Sequence, residues 1–201
     1  MRDLEIRGAG NLLGHDQSGP VAAVGYDLYV QLVAEAVADA KGFVVPEVVT
    51  VNLDVPGEAH LPKEYVEADD ARLEAYRHLA GVTTMDELED LRAEWLDRYG
   101  ALPSAALGLL ELAQLRLTCL TLGISSVVVM PAKVGVRSKP VVKLGPLELS
   151  TSQQIRLRRL HGSRAYVEAT KELRIEVSAQ DASPKALLQL LGALVAVTTS
   201  Q

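Results

Sequence analysis

The composition is that of a folded protein and excludes several functional classes. The chain has 201 residues, of which 48% are apolar, so it has enough apolar side chains to bury a core and does not resemble a disordered chain. Its 26 acidic and 20 basic residues give a net charge of −6, which is unusual for a domain that binds nucleic acid through a general basic face. The longest apolar runs, near 105–122 and 186–197, are interrupted by Arg116 or too short to span a membrane. No secretory signal pattern opens the sequence, so we expect a cytoplasmic protein.

Candidate nucleophiles and metal ligands are few. Cys119 is the only cysteine and lies among leucines, which predicts a buried apolar residue instead of a reactive thiol. The four histidines, at positions 15, 60, 78 and 161, have no helical pairing that would indicate a metal site. No nucleotide-binding loop of the G-x-x-x-x-G-K-[ST] type is present. We therefore expect no enzymatic activity and no cofactor in this chain.

The first 47 residues differ from the rest. Residues 1–24 are rich in glycine and have few apolar side chains, so this extended arm must lie against something else. Apolar residues at three- and four-residue spacing predict a helix over 26–41, and 43–47 form a linker. The sequence therefore divides into a region 1–47 and a compact domain 48–201.

The compact domain begins with a strand and a helical part. Alternating valine, leucine and polar residues predict a half-buried strand over 49–55, which ends at Pro56-Gly57. Three helices are predicted, over 69–80, 85–99 and 103–122. Thr84 and Glu87 form a capping box at the start of the second helix. The third is apolar nearly all round, which predicts that it is the buried centre of the domain.

The last third is rich in short valine-containing segments separated by turn residues, and these predict antiparallel strands. The predicted strands are 124–130, 133–137, 140–144, 164–169 and 172–177. Two helices, over 151–160 and 183–197, accompany them. Helices followed by strands indicate an α+β fold with three helices and a small antiparallel sheet, preceded by the arm and one helix.

Charged side chains crowd the end of the second helix. Glu94, Asp97 and Arg98 surround the aromatic residues Trp95 and Tyr99. Glu94 and Arg98 are four residues apart and are expected to pair on the helix surface, for a gain of a few tenths of a kcal/mol. The cluster is either such a solvated ion pair or a docking patch, because charged groups beside an aromatic residue are typical of interface anchors.

Basic side chains concentrate in one other place. Arg156, Arg158, Arg159 and Arg164 lie within nine residues, with His161 among them. Such a cluster is either the solvated end of a helix or a phosphate-binding surface that would make this an accessory nucleic-acid-binding domain.

Two blocks of the sequence resemble known families. The segment 2–14 (RDLEIRGAGNLLG), followed by QSG at 17–19, resembles the stretch just beyond the last helicase motif of RecG-like motors, which the transcription-repair coupling factors share. The resemblance to the coupling factors continues in 24–29, 61–66, 72–76 and 96–103. These segments occur in the same order as in the family and cover about residues 1–125.

The resemblance implies a longer parent protein that uses ATP and Mg²⁺ to translocate on double-stranded DNA. Such a parent displaces stalled RNA polymerase and recruits the excision-repair protein UvrA. Its ATPase loops and its UvrB-like module would lie upstream of this chain. Residues 1–24 would be the tail of the translocation motif, with Arg2, Arg7 and Gln17 as coupling residues, and the arm could also pair two copies of the chain.

The resemblance also gives the compact domain a regulatory role. In the coupling factors the C-terminal domain folds back on the N-terminal UvrB-like module and hides the surface that UvrA needs. A Glu-x-x-Asp-Arg turn makes that contact, and here it corresponds to Glu94, Asp97 and Arg98. The resemblance therefore favours the docking patch, acting as an interdomain latch.

Overall fold

The order of elements follows the change in hydrophobic pattern along the chain. The computed structural model describes residues 51–132, 138–162, 165–178 and 180–195. Within them the helices are α1 Asp69–Gly81, α2 Met85–Tyr99, α3 Ser104–Leu122, α4 Thr151–His161 and α5 Pro184–Val195. The strands are β1 Asn52–Asp54, β2 Ser126–Met130, β3 Val141–Gly145, β4 Tyr166–Val167 and β5 Glu172–Glu176, and a short 3-10 helix spans Gln180–Ala182.

The predicted α+β fold is confirmed. Every predicted helix and strand that falls on the described residues is present, with ends that differ by up to three residues. The arm and helix of the region 1–47 and the predicted strand 133–137 lie outside the described residues.

The sheet is mixed instead of purely antiparallel. Its strand order is β1-β2-β3-β5-β4, and the strands of the last third pair antiparallel as predicted. β1 joins the edge of this sheet parallel to β2, with Leu53 opposite Val127. The chain leaves β1, passes through three helices and returns in the same direction, and a parallel pair requires such a long crossover.

One face of the sheet carries the core. The register aligns Leu53, Val127, Leu144 and Leu173 in one cross-strand row, and all four are buried. The intervening residues face the other way and include charged side chains such as Asp54, which is exposed. Alternation with a period of two therefore places the apolar set of every long strand towards the helices.

Helix α3 is the centre of that core, as its composition predicts. Its length and apolar character would allow it to cross a membrane, but nine of its side chains are buried inside the folded domain. It packs against α2 and α5, and its buried side chains belong to the same continuous core as those of the sheet. Gly123, in the left-handed conformation at φ 69°, ends the helix and turns the chain towards β2.

The capping box at the start of α2 is also confirmed. The Thr84 hydroxyl accepts a hydrogen bond from the backbone N–H of Glu87 at 3.2 Å. The Glu87 carboxylate accepts in return from the backbone N–H groups of Thr83 at 2.7 Å and Thr84 at 3.2 Å. These bonds, above all the one from Thr83, lower the pKa of Glu87. The box fixes the residue at which α2 begins.

Gly108 allows the loop before α1 to approach α3. His60 N–H donates to the carbonyl of Ala105 at 3.3 Å, so the loop crosses the first turns of α3. A Cβ atom at position 108 would collide with the carbonyl oxygen of Glu58. The contact therefore requires glycine, although glycine weakens a helix interior.

We predict that Gly108→Ala lowers the free energy of unfolding by about 1–3 kcal/mol, because the backbone of the loop must shift to admit a methyl group. The matched control is Gly192→Ala in α5, where an added Cβ meets nothing within 4 Å. That change should raise stability by up to about 1 kcal/mol through helix propensity alone. Urea unfolding followed by circular dichroism measures both. Equal stability of the two variants would contradict the close approach.

The single cysteine provides a second prediction. Cys119 is completely buried in α3, and desolvation raises the pKa of its thiol to about 12. We therefore expect no labelling by a thiol reagent at pH 8 in the native protein and complete labelling in denaturant. Fast labelling of the native protein, at the rate of free cysteine, would contradict this position of α3.

Candidate protein-interaction site

The three candidate latch residues lie on the last two turns of α2. The exposed fractions of the Glu94 and Arg98 side chains are 36% and 48%, and Asp97 is also exposed. At i, i+3 and i+4 the three occupy neighbouring positions on the helix surface. Their polar groups are therefore accessible to a partner.

Glu94 and Arg98 form an ion pair on this surface. The Arg98 guanidinium donates to the Glu94 carboxylate at 2.7 Å and lies 5.4 Å from the centre of the Tyr99 ring. The hydrogen bond to Glu94 raises the pKa of Arg98, so the guanidinium stays charged. His78 of α1 lies 3.9 Å from the other Glu94 oxygen. An exposed pair of this kind adds only a few tenths of a kcal/mol to the fold, so it is inexpensive to rearrange on binding.

Trp95 does not take part in the exposed surface. The side chain between Glu94 and Leu96 is 1% exposed and packs in the core with Leu88 and Leu91. Trp95 is therefore not the accessible aromatic residue of the predicted docking patch. Its position is set by helical periodicity, because residues 88, 91 and 95 share the buried stripe of α2. Trp95 holds α2 against the core.

Tyr65 fastens the end of α2, and this was not foreseen from the sequence. Its hydroxyl lies 3.0 Å from the carbonyl oxygen of Trp95 and 3.2 Å from that of Gly100. Its ring meets the Tyr99 ring edge to face, with centroids 5.7 Å apart. A carbonyl oxygen can only accept, so the phenol O–H is the donor, and the carbonyl of Gly100 that it reaches lies just beyond the last helical residue of α2. Desolvation raises the pKa of Tyr65.

Helix α1 in turn holds the segment that contains Tyr65. The Tyr76 hydroxyl accepts from the backbone N–H of Leu61 at 2.8 Å. The buried Arg72 donates to the carbonyl of Val66 at 3.0 Å and pairs with Asp69. The blocks 61–66 and 72–76, which carry part of the family resemblance, are thus structural and support the end of α2. Tyr65 belongs to the first of these two segments, so the family resemblance was the sequence signal that could have drawn attention to it.

An exposed apolar residue lies beside the charged cluster. Leu96, between Trp95 and Asp97, is 54% exposed. Large apolar side chains at the surface are common singly, but this one adjoins the candidate latch residues in sequence. It adds apolar area that a partner could bury. The sequence analysis did not single it out, because the charges around it define the cluster.

The other candidate residues lie apart from this site. Arg156, Arg158 and Arg159 are exposed on α4, whereas Arg164 lies outside the described residues. Arg2, Arg7 and Gln17 also lie outside the described residues. Among the described residues, no group of three or more His, Cys, Asp or Glu side chains could hold a metal ion. A groove of about 340 Å³ between α2, α3 and α5 is lined by apolar residues, among them Leu107 and Leu188, and by charged residues of both signs.

Comparisons with known proteins agree on one family. The family model described as the TRCF domain matches residues 55–148. Transcription-repair-coupling factors of Mycobacterium bovis and Mycobacterium tuberculosis are 42% identical across 88% of the chain, and that of Staphylococcus aureus is 40% identical across 62%. The chain spans 15% of the length of the mycobacterial relatives and 11% of the staphylococcal one.

The fold matches as well. A crystal structure of the C-terminal domain of transcription-repair coupling factor superposes with a TM-score of 0.55 and covers 73% of this chain and 92% of its own, at 17% sequence identity. This match concerns the fold alone, whereas the sequence relatives carry the assignment. The chain therefore belongs to the transcription-repair coupling factor family and contains the C-terminal TRCF domain of that family.

Proposed function

We propose that the TRCF domain of this chain is an autoinhibitory latch within a longer parent protein. It would bind the parent's N-terminal UvrB-like module through Glu94, Asp97 and Arg98 and mask the surface that UvrA needs. The observation that carries the proposal is that Asp97 and Arg98 are exposed and Glu94 is partly exposed at the end of α2, where all three are accessible to a partner. They match the Glu-x-x-Asp-Arg turn of the family residue by residue.

The support beneath these side chains favours recognition of a protein surface. Trp95 is buried below them, and the Tyr65 hydroxyl holds the last turn from the side. A preorganised helix end loses little conformational entropy on binding, so more of the contact energy is available for affinity. Leu96 adds apolar contact next to polar groups of both signs, which resembles the composition of protein interfaces more than that of a ligand pocket.

The latch must be weak enough to open. A contact worth about 3 kcal/mol keeps more than 99% of molecules closed, and a shift from 1:99 to 99:1 requires about 5.5 kcal/mol of differential binding. Binding of DNA or RNA polymerase to the parent would supply that energy, because a ligand shifts an equilibrium only by its differential affinity for the two states.

The proposal places this chain in a cytoplasmic DNA-repair protein. Residues 1–47 would be the tail of the translocation motif and its linker, with Arg2, Arg7 and Gln17 coupling ATP hydrolysis to movement on double-stranded DNA. The domain 48–201 would have no cofactor and no enzymatic activity of its own. ATP and Mg²⁺ would bind to the upstream motor of the parent. The region 1–47, once separated from that motor, could also join two copies of the chain.

We predict that combined Glu94→Ala, Asp97→Ala and Arg98→Ala substitution weakens binding of this chain to the isolated UvrB-like module at least tenfold, or about 1.4 kcal/mol. The reason is the loss of every charged contact of the latch, while the exposed positions leave the core intact. Isothermal titration calorimetry measures the affinity, and circular dichroism confirms the fold of the variant.

The matched control is Glu89→Ala, Asp90→Ala and Arg92→Ala, which removes the same three side-chain types from exposed positions earlier in α2. Its affinity should stay within about twofold of the unaltered chain. Unchanged affinity of the first variant, or an equal loss in both, would refute the assignment of the latch to residues 94, 97 and 98.

A further inference from the structure

Helix α4 is the basic element of an otherwise acidic protein. Its eleven residues, Thr151–His161, include Arg156, Arg158 and Arg159 and no acidic residue. By contrast, the fifteen residues of α2 contain six acidic and two basic side chains. Helix α4 is therefore positively charged, although the whole chain has a net charge of −6.

The three arginines point away from the core. Leu157, between Arg156 and Arg158, is 1% exposed and fastens the opposite side of the helix to the domain. Ser150 and Gln153 form a capping box that fixes where α4 begins. All three arginines are exposed, and so is Ile155, at 48%. A rigid helix therefore presents three guanidinium groups on its outer surface.

These arginines have no ion-pair partner among the described residues. Two carboxylates of neighbouring elements are already engaged elsewhere. Glu148, just before α4, pairs with Lys171, and Glu172 of β5 pairs with Lys143 at 3.5 Å and Arg174 at 2.6 Å. Within the described part of the chain the positive charge of α4 is thus not neutralised, and it is available to an external anion.

We propose that α4 binds the phosphate backbone of double-stranded nucleic acid. Guanidinium groups match phosphate oxygens in geometry and keep their charge at every physiological pH. Positions 156 and 159 lie near each other on the helix surface, whereas 158 lies on its other flank, so the three charges fan out. A duplex, which presents one phosphate charge per about 1.7 Å of its axis, suits such a distributed patch better than a single carboxylate does.

Two alternative anionic partners fit less well. Single-stranded nucleic acid is usually held by stacking of its bases on aromatic side chains, and α4 has none. An interfacial membrane helix needs a broad exposed apolar face. In α4 Leu157 is buried in the domain, and the exposed apolar Ile155 lies next to the exposed arginines. The contact proposed here is with phosphates and is independent of base sequence.

The test uses the whole chain and a fluorescein-labelled DNA duplex of about 20 base pairs, with binding followed by fluorescence anisotropy at about 50 mM salt, where phosphate contacts are strong. Combined Arg156→Gln, Arg158→Gln and Arg159→Gln substitution should weaken binding at least tenfold. It should also make the slope of log K against log [salt] shallower by roughly 2–3, since each lost phosphate contact removes about 0.9.

The matched control removes three exposed cations elsewhere, by Arg77→Gln, Arg92→Gln and Lys185→Gln, and so changes the net charge equally. It should retain affinity within about threefold, because distant charges are largely screened. No binding by the unaltered chain, or equal losses in the two variants, would overturn the proposal. So would equal affinity for a single strand of the same length, or binding to anionic phospholipid vesicles without binding to the duplex.

Discussion

Burial of α3 is the constraint on which the other elements depend. A helix that is apolar nearly all round is stable in water only when it is enclosed, and here the sheet, α2 and α5 enclose it. Enclosure requires close approach, which explains the glycine at position 108 where the Glu58 backbone crosses the helix. It also explains why Cys119 is a completely buried packing residue whose thiol pKa is raised by desolvation.

The same packing determines where the candidate latch residues lie. Trp95 packs inward with the core, Glu94 and Arg98 flank this buried stripe with partly exposed side chains, and Asp97 lies on the far side of α2. Tyr65 lies in the segment that α1 holds, and its hydroxyl donates to the carbonyls of Trp95 and Gly100 at the end of α2. The backbone of a helix end supported in this way keeps its geometry without a partner, so an intramolecular contact of modest energy has less ordering to offset.

Two surfaces of different composition lie on different helices of the domain. The end of α2 carries charges of both signs next to the exposed Leu96, whereas α4 carries arginines alone. The first composition suits a protein surface and the second suits phosphates, so one domain could engage both kinds of partner at different places. Because the two helices contribute no residue to a common site, each role is open to a separate test.

The sequence by itself determined the α+β class, the helices and strands of the described region, the capping box of α2 and the family of the chain. These depend on local periodicity and short motifs, which are properties of neighbouring residues. Only the tertiary structure decided that β1 pairs parallel with β2, that Trp95 is internal, and that Tyr65 closes α2 from thirty residues away. Such contacts join segments far apart in the chain, and no local pattern specifies which of several apolar faces or polar groups will meet.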